Sequence, residues 1–136
     1  MIAIKLLVID NDPLILESLK VMLSQEKDII ILGLVHDLIE ALDICAENEP
    51  DVLFMDVHTN NVNGIKLFKA YYPHMKIILL IDFATCSKTK MQVMSLGADG
   101  YITKADEIAV FIEKLRKMVL DGVVDNCRII SKDQRI

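Results

Sequence analysis

The sequence predicts an α/β fold in which a doubly wound, five-stranded parallel sheet carries helices on both faces. Three observations point there. Five short apolar runs recur along the chain, and segments with apolar residues at helical spacing separate them. That alternation implies parallel strands joined by right-handed crossovers. The run Val52 to Met55 ends on a carboxylate, Asp56, as a strand does when it delivers a polar group to the ligand-binding edge of an open sheet.

The first strand is Ile4 to Ile9, closed by Asp10-Asn11-Asp12-Pro13. Pro13 suits the first position of a helix with Asp12 as its N-cap. Ile15, Leu19 and Met22, widened by Leu16 and Leu23, form that helix's buried stripe. It runs out near Ser24 to Asp28, and a second strand spans Ile29 to Val35. Asp37 and Glu40 have the spacing of an N-cap and its reciprocal partner, opening a helix that buries Leu38, Ala41, Leu42 and Cys45. Glu47-Asn48-Glu49-Pro50 ends it, because the residue before proline avoids helical geometry.

After Val52 to Asp56 comes a polar loop, His58 to Gly64, with turn chemistry in Asn63-Gly64. Ile65, Phe68 and Tyr72 mark a short helix stopped at Pro73. Ile77 to Ile81 is the fourth strand and Asp82 to Ser87 a loop. Lys88 to Leu96 is a helix expected to turn Met91 and Met94 inward. Gly97-Ala98-Asp99-Gly100 makes a tight turn into the strand Tyr101 to Thr103. The last helix has the steadiest period, through Ile108, Phe111, Ile112, Leu115, Met118 and Val119, and ends at Asp121-Gly122. Residues 123–136 mix apolar pairs with charges and read as a tail, or the start of a linker.

A chain of 136 residues suits one domain with a core of its own. No apolar run approaches the length of a membrane span, and the N-terminus lacks the layout of a signal peptide. Cys45, Cys86 and Cys127 are odd in number and widely spaced, which gives neither a disulfide framework nor a paired metal motif. A reducing cytoplasm is therefore the expected setting, with no membrane partner. The net charge of −5 argues against a nucleic-acid-binding surface on this chain. The methionines and cysteines read as core filler, and His36, His58 and His74 as strand-end or loop residues without ligand spacing.

The chemistry collects at the strand ends. Asp10 and Asn11 follow the first strand, Asp56 the third, Ile81 or Asp82 the fourth and Lys104 the fifth. Carboxylates, an amide oxygen and nearby carbonyls make a hard oxygen site suited to Mg²⁺, with Lys104 as a point charge for an anion. These parts suit phosphoryl chemistry with a carboxylate as nucleophile.

At these residues the chain resembles a family. Leu6-Leu7-Val8-Ile9-Asp10-Asn11-Asp12-Pro13-Leu14-Ile15, Asp51-Val52-Leu53-Phe54-Met55-Asp56 and Gly97-Ala98-Asp99-Gly100-Tyr101-Ile102-Thr103-Lys104 resemble three ordered motifs of the receiver domains of two-component response regulators. The wording is nearest the LuxR-type, or NarL-type, subfamily. The resemblance covers about residues 4–122 and implies a flavodoxin-like fold of strand order 2-1-3-4-5. It implies that Asp56 takes a phosphoryl group from a sensor histidine kinase or a small phosphodonor. Asp10, Asn11, Asp56 and the backbone of His58 would hold Mg²⁺, Lys104 would contact the phosphoryl oxygens, and Tyr101 would be the aromatic that changes rotamer on activation. Receivers of this type precede a helix-turn-helix domain and often form homodimers, so DNA would be met only through an output domain beyond this chain. Apart from transfer to and from Asp56, no enzymatic activity is implied.

The sequence also departs from the pattern. Asn11 stands where the family has a second acid. Ile81 or Asp82 stands where it has a serine or threonine, and Phe83 where a small residue is common. A second reading follows, a degenerate receiver that works as an interaction or dimerisation module without phosphorylation. A third, a phosphatase of the haloacid-dehalogenase type built on Asp10-Asn11-Asp12, lacks the downstream hydroxyl that such enzymes use.

Overall fold

In the computed structural model, residues 3–56, 64–81, 87–103 and 108–121 are described. They form strands β1 (Ile4–Ile9), β2 (Ile29–Val35), β3 (Val52–Asp56), β4 (Lys76–Ile81) and β5 (Gly100–Thr103). The helices between and after them are α1 (Pro13–Leu23), α2 (Leu38–Glu47), α3 (Gly64–Tyr71), α4 (Ser87–Ser95) and α5 (Ile108–Asp121). The strands are parallel, in the order β2-β1-β3-β4-β5. Expected and observed elements agree to within a residue or two. The fold is the flavodoxin-like arrangement implied by the sequence.

The alternation along each interior strand divides the core into two layers. Leu6, Val8, Phe54, Ile78, Leu80 and Ile102 face one way, against Leu16 and Leu19 of α1 and Ile112 and Leu115 of α5. Leu7, Ile9, Met55, Leu79 and Ile81 face the other, against α2, α3 and α4. Both faces of β1, β3 and β4 are thus covered, which is why those strands carry apolar residues at successive positions. On β2, Gly33 stands where α2 comes close; a Cβ there would lie 2.5 Å from Cδ1 of Ile44.

Two helical expectations are corrected. Met22 is 42% exposed, and the α1 stripe is carried by Leu16, Leu19 and Leu23. Met91 is 73% exposed, and Val93 is the one buried among the described side chains of α4. Among the described side chains of α4, Val93 and the half-buried Met94 take the inward positions. In α5, Ile112, Leu115 and Met118 are buried as expected, whereas the side chains of Ile108 and Phe111 lie outside those described. Of the sulfur-bearing residues, Cys45, Met55, Met75 and Met118 are core. His36 and His74 are exposed. Among the described residues no helix is long and apolar enough to cross a membrane.

Candidate functional site

The register of β1 on β3 sets the site. Ile9 lies opposite Met55, so the next residues, Asp10 and Asp56, emerge side by side at the carboxyl edge, with backbones about 5 Å apart. They are the buried charged residues of the described chain, 0% and 2% exposed. Burial of two carboxylates on neighbouring strands is costly unless charge is supplied nearby. Such a pair on the ligand edge of an open sheet is therefore a candidate site with a stated physical reason.

Backbone geometry holds Asp10 in place. Its amide donates to Val35 O at 3.0 Å, fastening the ends of β1 and β2, and one carboxylate oxygen accepts the Asp12 amide at 2.9 Å. Asp12 itself accepts the Leu14 amide at 3.0 Å as the N-cap of α1. Asn11, exposed between them, offers an amide oxygen at the same edge. The donors are all hard oxygens and fit Mg²⁺ better than zinc or copper. No cluster of three or more His, Cys, Asp or Glu side chains suited to a metal occurs among the described residues, so Asn11 and backbone groups would have to complete the shell.

At the other end of the edge, β4 resolves an ambiguity in the sequence. Leu80 lies opposite Asp56 and packs in the α1–α5 layer, whereas Ile81, 1% exposed, packs in the opposite layer. Ile81 is thus a core residue on the face away from Asp56. Tyr101 is half-buried in that same far layer, and Nζ of Lys90 on α4 sits 5.3 Å from its ring centroid. His58, Asp82, Phe83 and Lys104 lie outside the described residues, as do the loop after Asp56 and the tail 123–136.

Two polar networks were not legible in the motifs. Asp99, the variable position of the Gly-Ala-x-Gly-Tyr segment, accepts the Ile77 amide at 2.8 Å and pairs with Nζ of Lys69 at 2.6 Å. That lysine also donates to Met75 O at 2.8 Å, so the turn at Gly97 is tied to α3 and to the start of β4. Gly97 has φ of +118°, and a Cβ there would lie 3.1 Å from Cγ of Lys69. The second network joins Arg116 of α5 to Glu26 and Asp28 before β2. Neither has a periodic signature, because each joins residues far apart in sequence. An open cleft of about 540 Å³ between α1 and β2, lined by Leu16, Lys20, Ile31, Leu34 and His36 among others, includes neither buried acid.

Comparison with known proteins agrees with this architecture. A sensory transduction protein, LytT of Enterococcus faecalis, is 27% identical over 124 residues, covering 88% of this chain and 51% of its own length. The transcriptional regulatory protein LnrK of Bacillus subtilis is 28% identical over 124 residues, covering 89% of this chain and 56% of its own. The chain thus spans about half the length of these curated relatives. The crystal structure of a LuxR-family two-component response regulator from an Aurantimonas species superimposes with a TM-score of 0.79 at 16% identity, covering 98% of this chain and 99% of that one. That likeness speaks for the fold alone. The model of the response regulator receiver domain matches residues 6–116, most of the chain, and the protein belongs to that family.

Proposed function

We propose that this receiver domain accepts a phosphoryl group on Asp56 from a sensor histidine kinase or a small phosphodonor. The observation that carries the reading is the buried pair Asp10 and Asp56, set side by side by the β1–β3 register. A carboxylate oxygen of Asp56 attacks phosphorus, the bond from phosphorus to the donor's leaving atom breaks, and an acyl phosphate remains on the protein. Asp10, Asn11, Asp56 and the carbonyl of His58 would hold Mg²⁺, which supplies charge screening for the incoming phosphoryl group. Lys104 would contact the phosphoryl oxygens as a point charge. The domain's own chemistry is limited to forming and losing that acyl phosphate.

The chain matches about half of relatives named as sensory transduction and transcriptional regulatory proteins. This supports an output domain that controls transcription and makes the contact with DNA, of the helix-turn-helix kind the LuxR-type resemblance implies. The setting is cytoplasmic, where such kinases present their phosphohistidine. Incubation with acetyl phosphate and Mg²⁺, followed by intact mass, tests the reading. One phosphate adduct that is absent in Asp56→Asn is the expected result; no adduct with any donor overturns it.

A second reading rests on Asn11 and on Asp82. One formal charge is missing from the metal-binding edge, and the residue that follows β4 in the sequence is an acid rather than a hydroxyl. The domain would then be a degenerate receiver, an interaction or homodimerisation module independent of phosphate. Light scattering with and without beryllofluoride separates the two readings: a shift in mass favours the switch, and an unchanged mass favours the module.

A further inference from the structure

β2 is the outermost of the described strands on its side of the sheet, so among them one of its edges meets no neighbour. Its sequence, IIILGLV, has no charge and no proline to blunt that edge. Its register on β1 jumps from Leu6↔Ile31 to Leu7↔Gly33, which leaves Leu32 as an extra residue in a bulge. The carbonyls of Asp28 and Val35 are spent on β1, accepting the amides of Ile4 at 2.7 Å and Asp10 at 3.0 Å. Alternation from those two points turns the N–H and C=O of Ile31 and, past the bulge, Leu34 outward. The same two residues share a face. Both pack against the α1–α5 layer, and both line the cleft of about 540 Å³ beside α1. Ile30, on the other face, is 47% exposed.

We propose that this edge pairs with the β2 edge of a second copy of the chain, antiparallel about a twofold axis at the bulge. The edge fits an uncharged, apolar strand interrupted at the same place, and β2 is itself that strand. Ile31 of one protomer then lies opposite Leu34 of its partner, backbone to outward-facing backbone, and the two side chains enter the cleft beside α1 together. Ile30 lies opposite Val35 on the other face. A bulge usually spoils an edge for pairing. Here each strand brings its own to the axis, so the extra residues meet and the flanks stay in step. A slip of one residue sets Ile31 against Gly33 or Val35, which turn to the α2 side, so the register is fixed. The two carboxyl edges point in opposite directions. The pairing does not require phosphate at Asp56, so it can be tested separately from the proposed function.

Light scattering on the full chain from micromolar to millimolar protein, paired with amide hydrogen exchange, tests the pairing. Beryllofluoride is left out, so that a phosphate-driven association does not contribute. The expected result is a mass that doubles with concentration, in step with slower exchange at the Ile31 and Leu34 amides and unchanged exchange in β5. Ile30→Lys sets an ammonium on the paired edge at a position that is already half exposed, so the fold is kept. It raises the dimer dissociation constant roughly tenfold or more. Met91→Lys, at the exposed surface of α4, leaves that constant unchanged. A mass that stays monomeric throughout overturns the proposal, as does growth beyond a dimer, because twofold pairing uses up the edge. A dimer that Ile30→Lys does not weaken, that Met91→Lys weakens equally, or whose protection falls outside β2 overturns it too.

Discussion

Arg116 grips Asp28 with two parallel hydrogen bonds across 88 residues of chain, Nε to Oδ2 at 2.7 Å and Nη2 to Oδ1 at 2.8 Å. Glu26 takes a further bond from the same guanidinium. The last helix is thereby fastened to the turn that precedes β2. Charge-assisted bonds of this fork geometry are more specific than a point contact, and only arginine can make them. Half-exposure lets solvent screen them, so Arg116→Ala should cost about 1 kcal/mol. Urea unfolding at neutral pH measures it, and Arg116→Lys should recover only part of the loss.

The same pair makes an acid-sensitive contribution. The Arg116 guanidinium bonded to Asp28 holds its carboxyl below the usual value of 3.8. A carboxyl lowered by folding adds stability that is fully present above its unfolded value and is lost as pH falls through the folded one. The gap in stability between the parent chain and Arg116→Ala should therefore hold from neutrality down to about pH 4 and close below it. A gap that stayed constant to pH 2 would show that packing of the arginine stem, rather than charge, provides the contribution.

The buried acids predict a linkage to metal. Asp10 and Asp56 lie side by side with little exposure, so a divalent ion that binds the folded site should raise the unfolding temperature. At a concentration ten times its Kd the gain is about 1.4 kcal/mol. Asp10→Asn should remove most of this Mg²⁺ dependence while raising stability in its absence, because a like-charge neighbour has gone. Thermal unfolding with and without Mg²⁺ in both proteins is the measurement. Equal Mg²⁺ shifts in the two would place the ion elsewhere.

Cys45 should be inert in the native protein. Burial, aided by the charge of Glu49, pushes its thiol pKa up to about 11. At pH 8 that leaves roughly one thiol in a thousand as thiolate, and the thiolate is the nucleophile. Cys45→Ala should therefore leave the fast phase of thiol labelling unchanged at that pH and remove one equivalent from the total labelled in denaturant. Loss of a fast-phase equivalent in the variant would contradict the burial of the thiol.

The elements and their order were legible because each interior strand is apolar on successive residues and each helix keeps one buried stripe. The acidic edge was legible too, since Asp10 and Asp56 each directly follow the apolar residue that ends a run. Met22 and Met91 misled because spacing alone cannot tell which of two nearby apolar positions meets the sheet; Leu23 and Val93 do. Arg116 with Asp28, and Lys69 with Asp99, were hidden for another reason. A long-range ion pair leaves no periodic trace in either of the segments that it joins. Whether β4 offered Ile81 or Asp82 to the site could not be decided by counting in from either end. The register rules Ile81 out, by pairing Asp56 with Leu80 and turning Ile81 to the far layer.

That decision sharpens the last prediction. Because Ile81 packs away from Asp56, Asp82, which follows β4 in the sequence, is left as the candidate for the hydroxyl's position. A carboxylate there would repel an incoming phosphoryl dianion, where a hydroxyl would donate a hydrogen bond to it. Asp82→Thr should thus speed phosphorylation by acetyl phosphate, or lengthen the life of the adduct, by roughly tenfold for each 1.4 kcal/mol of repulsion replaced. Ile81→Thr should do neither, and should instead destabilise the domain by about 1–3 kcal/mol by burying a hydroxyl in an apolar layer. Adduct formation followed by mass against time, with urea unfolding of the same proteins, distinguishes the two positions. A gain in phosphorylation in Ile81→Thr rather than Asp82→Thr would overturn the assignment.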